Sequence, residues 1–366
     1  MRILYVTTVG VTMSFFENYI KTLEADGHEV SIACNNSGGD LPEFYHTNGN
    51  KHYNLSGSRN PFSTGNVKAI KEIKKIVENE KYDIVHCHTP IAAACCRIAC
   101  RKARKNGTKV IYTAHGFHFY KGAPLKNWLI FYPIERICAR FTDVLITINK
   151  EDYELAKKKF KARCVECVPG VGIDVKKFAE CEVDVSKKRQ ELGIPNDAYL
   201  LLSVGELNQN KNHQSVIKAI AAVKSEKIHY MIAGQGGLKE DLLSLAKELG
   251  IAERLHLLGY RNDVNELYKT ADLYVHPSFR EGLPTSVIEA MASGKPIICT
   301  DIRGSAEVVK NGYNGILVKP NDIEAIKNAI IELKNSYGEI GANNTDEAQR
   351  FDVTSVNEKL LTIYFD

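Results

Sequence analysis

Leu273-Tyr-Val-His-Pro-Ser-Phe-Arg-Glu-Gly-Leu-Pro-Thr-Ser-Val-Ile-Glu-Ala-Met-Ala-Ser-Gly-Lys-Pro-Ile-Ile-Cys-Thr300 reads as a strand, a loop, a helix and a second strand. Leu273–His276 and Ile297–Thr300 are short apolar runs suited to buried strands, and Pro284–Ala292 is the apolar helix between them. Gly282 and Pro284 break the chain where that helix begins. Pro284 suits the first helical turn, and Thr285 or Ser286 can satisfy its free amides. Glu281 then falls in the turn before the helix, and Glu289 lies within it about two turns further on. Between the two carboxylates the helix offers unpaired N–H groups and the positive end of its dipole, a ready site for phosphate. One carboxylate on each side of such a site can hold hydroxyl groups of a phosphorylated sugar. The alternative is a loop glutamate and a solvated helix glutamate with no shared task.

Working outward, the same strand and helix alternation fills the chain. Strands are expected at Ile3–Thr7, Glu29–Cys34, Ile84–His88, Lys109–Ala114, Val144–Ile148 and Cys164–Val168, with helices such as Ser14–Ala25, Val67–Asn79, Ile91–Lys105 and Asp152–Phe160 between them. The second half repeats the scheme from Tyr199–Val204 through Gly315–Val318. Apolar strands alternating with helices predict an α/β fold of two doubly wound parallel sheets. The boundary is expected in Pro169–Phe178, where proline and glycine mark a turn, giving a first domain 1–178 and a second 179–353. The last helix, Thr354–Phe365, carries Val356, Leu360, Leu361 and Tyr364 on one face and is expected to pack back on the first domain. Two such domains that face each other turn their strand C-termini toward a shared cleft.

Composition narrows the class. At 366 residues, with 44% hydrophobic and 25% charged content, the chain suits two soluble globular domains. No apolar run approaches the roughly 18 residues of a membrane span, and the start reads as a buried strand, so a cytoplasmic location is expected. Cys34, Cys87, Cys95, Cys96, Cys100, Cys138 and Cys299 sit in apolar contexts, as reduced buried thiols do. Cys164-x-x-Cys167 has metal spacing but no second pair or nearby histidine, so it reads as structural. The net charge of +4 divides as +9 over residues 1–170 and −5 over 171–366. A basic first half suits an anionic acceptor or lipid surface, or simply solvated helix faces. Nucleic acid is not expected, because no aromatic-interleaved basic motif is present.

Three further constellations fall at strand ends. Ser203-Val-Gly-Glu-Leu-Asn-Gln-Asn-Lys-Asn-His213 places Gly205 where a ligand's close approach needs no side chain, and Lys211 within reach of a phosphate. Ala233-Gly-Gln-Gly-Gly-Leu238 brings Gly234, Gly236 and Gly237 into a strand-to-helix turn. A full dinucleotide fingerprint is missing there and at Gly10, which counts against a nicotinamide enzyme. In the first half, Ile84-Val-His86-Cys-His88 and Thr113-Ala-His115-Gly-Phe-His118 end two strands, with His86 and His88 on one strand face. His115 is the candidate for an acid, base or hydrogen-bond donor.

Gly205 with Lys211, Gly234-x-Gly236, and Glu281 separated by seven residues from Glu289, the stretch between and after reading Gly-Leu-Pro-Thr-Ser-Val-Ile-Glu-Ala-Met-Ala, together resemble the retaining glycosyltransferases of family 4, with the GT-B fold of two Rossmann-like domains. The resemblance runs nearly end to end, and Thr113–Leu125 looks like the subgroup that builds bacterial capsule and exopolysaccharide. It implies a nucleotide-sugar donor, by family habit a UDP-sugar, on the second domain and a glycan or polyprenyl-diphosphate-linked sugar acceptor on the first. By analogy Lys211 neutralises the diphosphate, the Gly282–Leu283 backbone and Pro284 lie against it, Glu289 holds the ribose and Glu281 contacts the sugar. The loop Tyr260–Val264, with Arg261, would cradle the base, and His115 would stand near the transferred sugar. No metal or other cofactor is implied. Two positions depart from the family pattern: Glu206 replaces a basic residue beside the donor phosphates, and Gly10 stands alone where two glycines are common. Asn208, Asn210 and Asn212 are expected to supplement Lys211 with neutral donors.

Trp128-Leu-Ile-Phe-Tyr132 among Lys126, Arg136 and Arg140 reads either as a contact with an anionic membrane or as a core helix with a charged edge. Besides sugar transfer, a sugar-nucleotide 2-epimerase and a non-catalytic nucleotide-sugar binder remain open.

Overall fold

The computed structural model describes residues 1–223, 225–335 and 337–365. It divides into two compact units, Met1–Gly172 with Val353–Asp366, and Ile173–Asp352. The division thus falls at 172/173, a few residues before the 178/179 boundary read from the sequence.

The first unit is built on β1 (Arg2–Val9), β2 (Glu29–Asn35), β3 (Lys51–Asn54), β4 (Ile84–His88), β5 (Lys109–Ala114), β6 (Val144–Thr147) and β7 (Cys164–Cys167). They pair in the order β3-β2-β1-β4-β5-β6-β7, every pair parallel. Alternate residues of β1 feed two separate cores. Ile3 and Tyr5 pack with Ile20 and Leu23 of helix Glu17–Ala25 and with Val356, Leu360 and Tyr364 of helix Val353–Phe365. Leu4 and Val6 pack on the other face with Ile73, Val77, Ala93 and Cys96. Burial on both faces is why these parallel strands are continuous apolar runs. The terminal helix is further tied down by the Tyr364 hydroxyl, 2.8 Å from that of Tyr5, and by Asn357, which donates to Thr22 at 3.1 Å.

The second unit carries β8 (Tyr199–Val204), β9 (Ile228–Ala233), β10 (Leu255–Gly259), β11 (Leu273–His276), β12 (Ile297–Thr300) and β13 (Ile316–Val318). Their order is β10-β9-β8-β11-β12-β13, again wholly parallel. Leu200 and Leu202 face one core and Leu201 the other. In both sheets the strand order reverses at one seam, β1 beside β4 and β8 beside β11, where doubly wound sheets bind ligands at their carboxyl ends.

Some local expectations change. Ser14–Ala25 opens as a 3-10 segment, Gly10–Phe16, before the α-helix Glu17–Ala25, and Ile91–Lys105 is two helices, Pro90–Ala99 and Arg101–Lys105. The aromatic stretch 128–132 lies on helix Leu125–Cys138, and Trp128 turns inward, its ring 5.5 Å from Phe119 and 5.6 Å from Tyr132. Leu125 and Leu129, 73% and 68% exposed, form its apolar outer face instead. On the buried face of that helix Glu135 meets the fully buried Arg97 at 2.8 Å and accepts from the Tyr112 hydroxyl at 3.1 Å. All ten cysteines are free thiols, and the seven read as apolar are buried.

Candidate functional site

In the second unit the candidate residues gather where β8 and β11 end. Past β8 the chain turns at Gly205, whose φ of +155° disfavours a side chain. A Cβ there would also lie 3.1 Å from Cε of Lys211. Gly234 is required for a different reason: its Cβ would fall 1.8 Å from the carbonyl oxygen of Gly205, so two backbones touch at this point. Lys211 ends a short 3-10 turn capped by Asn208, whose side chain accepts from the Lys211 amide at 3.0 Å. Asn210 donates to the Arg280 carbonyl at 3.0 Å and Asn212 to that of Pro277 at 3.2 Å. The amides of Asn210 and Asn212 therefore hold the two loops together.

That stitching brings Lys211 Nζ to 2.8 Å from Oε1 of Glu281. The same oxygen receives Nε2 of His276 at 3.0 Å, and Ser278 Oγ lies 3.1 Å from that nitrogen. Burial opposes ionisation of Glu281, but the His276 hydrogen bond and the Lys211 charge prevail and draw its carboxyl down to about 2. Burial also pushes His276 below its usual range, so at neutral pH it is an uncharged ring. An ionised Glu281 only accepts, so Nε2 of His276 carries the proton, and the Tyr274 hydroxyl, 3.4 Å from Nδ1, faces the acceptor side.

Glu289 lies on helix Thr285–Ala292, where Oε2 accepts from the Tyr268 hydroxyl at 2.9 Å. Burial raises its pKa. Pro284 is the N-cap residue of that helix, and no side chain caps it. Neither Thr285 nor Ser286 therefore performs the capping expected of it, and the first amides stay with the helix mouth. Leu283 is half-buried against the core, and the Gly282 carbonyl would lie 2.8 Å from a Cβ on Gly304. Gly304 thus lets helix Arg303–Val308 close on the Glu281–Gly282 backbone. Arg261 is held within a charged cluster, its Nε 2.8 Å from Asp263 and Nη2 3.2 Å from Glu191. Glu206, next to Gly205, is exposed.

In the first unit His115 follows β5 and precedes Gly116, which takes a φ of +116°. Asp152, fully buried at the head of helix Lys150–Lys159, accepts the Phe117 amide at 2.9 Å and so anchors the turn. His115 Nε2 stands 3.1 Å from Nδ1 of the buried His88. His115 is an exposed residue, but the protein packed around its imidazole desolvates it and lowers its pKa to about 4, so it is neutral at pH 7. His86 is structural: its Nδ1 bonds the Tyr364 hydroxyl and its Nε2 meets Thr113 at 2.8 Å. Gly10 is buried, and its missing side chain is used internally, since a Cβ would meet the Gly39 carbonyl at 2.9 Å. Sequence reading missed His276, Tyr268, Asp152 and Gly304. A histidine closing the strand just before Glu281 was the one signal available.

Residues 14–176 match Glycosyltransferase Family 4, and residues 184–350 match Glycosyl transferases group 1. The protein named "Putative glycosyltransferase EpsD" from Bacillus subtilis (strain 168) is 36% identical over 371 residues, spanning 99% of this chain and 96% of its own. The chain belongs to glycosyltransferase family 4. A second relative of this glycosyltransferase is the Escherichia coli UDP-Gal:alpha-D-GlcNAc-diphosphoundecaprenol alpha-1,3-galactosyltransferase, 29% identical over 312 residues, 83% of this chain and 80% of that one. Anabaena Alr3699/HepE, solved in complex with UDP-glucose, superposes with a TM-score of 0.81 over 99% of both chains at 21% identity. That likeness establishes the GT-B fold for the enzyme.

Proposed function

We propose that this glycosyltransferase moves a hexosyl group from a UDP-sugar to a polyprenyl-diphosphate-linked sugar, with retention of anomeric configuration, in the assembly of a cell-surface polysaccharide. The observation that carries the reading is the Lys211–Glu281 pair at 2.8 Å, three residues before an uncapped helix N-terminus that also carries Glu289. Lys211 and the free amides of that helix supply positive charge where a diphosphate leaves, each such donor being worth roughly 2.7–4 kcal/mol in comparable sites. Lys211 and His276 both engage Oε1 of Glu281, so Oε2 is available to a sugar hydroxyl. Glu289, held by Tyr268, would take the ribose hydroxyls. Arg261 and the loop around it would border the base, with its charge neutralised by Asp263 and Glu191.

In the reaction the bond between the sugar's anomeric carbon and the diphosphate oxygen breaks, and the leaving group takes its electron pair. The acceptor hydroxyl attacks from the face just vacated, and its proton passes to a phosphate oxygen. Glu281 orients the sugar and is not the nucleophile, since its carboxylate is already shared by a lysine and a histidine. The charge on the phosphates is balanced by Lys211 and the helix, so activity is expected to survive chelation of divalent metal. The acceptor class is supported by the printed activities of two relatives, both transferring to a diphosphoundecaprenol-linked sugar. No helix among the described residues is long and apolar enough to cross a membrane. Access to such an acceptor would come from peripheral contact at the cytoplasmic leaflet, through Leu125 and Leu129 beside Lys126 and Arg136.

The test is incubation with a UDP-sugar, with and without acceptor. Acceptor-dependent release of UDP supports transfer. An altered sugar without acceptor would identify an epimerase, and an unchanged donor a binding protein.

A further inference from the structure

His88 has no place yet in this chemistry, although it touches His115. Its ring is buried, stacked on Tyr5 at 5.4 Å and packed on Phe16 at 4.1 Å between centroids, so it has one fixed orientation. Nδ1 points at His115 Nε2, 3.1 Å away, while its own Nε2 is buried without a hydrogen-bond partner among the described residues. The neighbouring His86 ring, 4.1 Å off, offers nothing, because both of its nitrogens are already engaged.

Two neutral histidines in this arrangement share one proton along the contact, which leaves two choices. If His115 donates from Nε2, His88 must carry its own proton on the buried Nε2, stranding an N–H donor. If His88 donates from Nδ1, its buried Nε2 is a bare acceptor and His115 is protonated on Nδ1. Orphaned buried N–H groups are rarer and costlier than under-used acceptors, so the second arrangement prevails. We propose that His88 is a positioning residue that fixes His115 as its Nδ1–H tautomer, so that His115 meets the transferred sugar as a hydrogen-bond donor and not as a base. Its Nε2 lone pair faces His88 and cannot take the acceptor's proton, in keeping with a phosphate oxygen as the proton's destination. The role at the sugar rests on the function proposed above; the tautomer does not.

The test is long-range 15N–1H NMR on protein labelled with 15N-histidine at neutral pH, with kinetics alongside. Wild type should show His115 protonated on Nδ1. His88→Leu should lose that preference, and His88→Asn, whose amide can donate from the same place, should keep it. In kinetics, His88→Leu should lower kcat by about tenfold with little change in donor KM, the size of one hydrogen bond, while His88→Asn restores most of it. A wild-type His115 protonated on Nε2, or a tautomer unmoved in His88→Leu, would overturn the proposal. If His88→Leu does not fold, the wild-type spectrum and His88→Asn decide the question. The expected tautomers with unchanged kcat would uphold the positioning and refute the role of His115 in transfer.

Discussion

Replacing Lys211 with methionine removes the charge and keeps the stem, and two separable effects follow. The first is on stability. The Glu281 side chain is 14% exposed and ionised down to about 2, so without Lys211 a mostly buried carboxylate keeps only a neutral partner, His276. Breaking a fully buried pair costs about 3–5 kcal/mol, and residual exposure of both side chains reduces this to about 2 kcal/mol. Adding Glu281→Gln to Lys211→Met should recover most of that loss, because the stranded charge disappears. The second effect is on transfer, where losing a donor to the departing diphosphate should lower kcat by about 10²–10³. The double variant should remain equally inactive. Urea titration followed through the second unit, with UDP release under saturating donor and acceptor, measures both. Turnover of Lys211→Met within about threefold of wild type would refute the assignment of Lys211 to the leaving group.

Other perturbations separate the remaining parts. Glu289→Gln should raise donor KM by about tenfold with kcat nearly unchanged, since a ribose contact is equal in ground and transition states; a selective fall in kcat would contradict that role. Gly304→Ala puts a Cβ within 2.8–3.0 Å of the Gly282 and Glu281 backbone and should cut kcat/KM by at least about tenfold in a folded protein. Arg97→Met, leaving Glu135 buried and unpaired, should destabilise the first unit by about 3–5 kcal/mol, and Arg97→Met with Glu135→Leu should restore most of it in thermal unfolding. The pKa of Glu281 is depressed on folding, so its contribution is complete above the unfolded value near 4.5 and fades as pH falls toward about 2. Wild type should therefore lose stability over that acid window more steeply than Glu281→Gln, as read by urea midpoints at stepped pH.

Strands such as Ile84–His88 and Tyr199–Val204 were legible because burial on both sheet faces demands unbroken apolar runs. β3, Lys51-His-Tyr-Asn54, was not: an edge strand with one partner needs no such run, and its residues are exposed or only part-buried. The glutamate pair and Lys211 were visible as spacing, but not that they share one oxygen network with His276, because that contact joins loops 70 residues apart. Capping of the site helix was misread for a related reason. Thr285 and Ser286 are good caps by residue type, but Pro284 takes the cap position and they fall inside the first turn. Trp128 was read from its neighbours in sequence, and only the packing of Phe119 and Tyr132 shows which way it faces.

The most direct test of the account is a transfer reaction with UDP-, GDP- and ADP-sugars and a synthetic polyprenyl-diphosphate-linked sugar, read by nucleoside diphosphate release and by proton NMR of the new linkage. UDP should be released only when acceptor is present, unaffected by chelator, with the donor's α configuration carried into the product. Inverted configuration, or consumption of the UDP-sugar without acceptor, would contradict it.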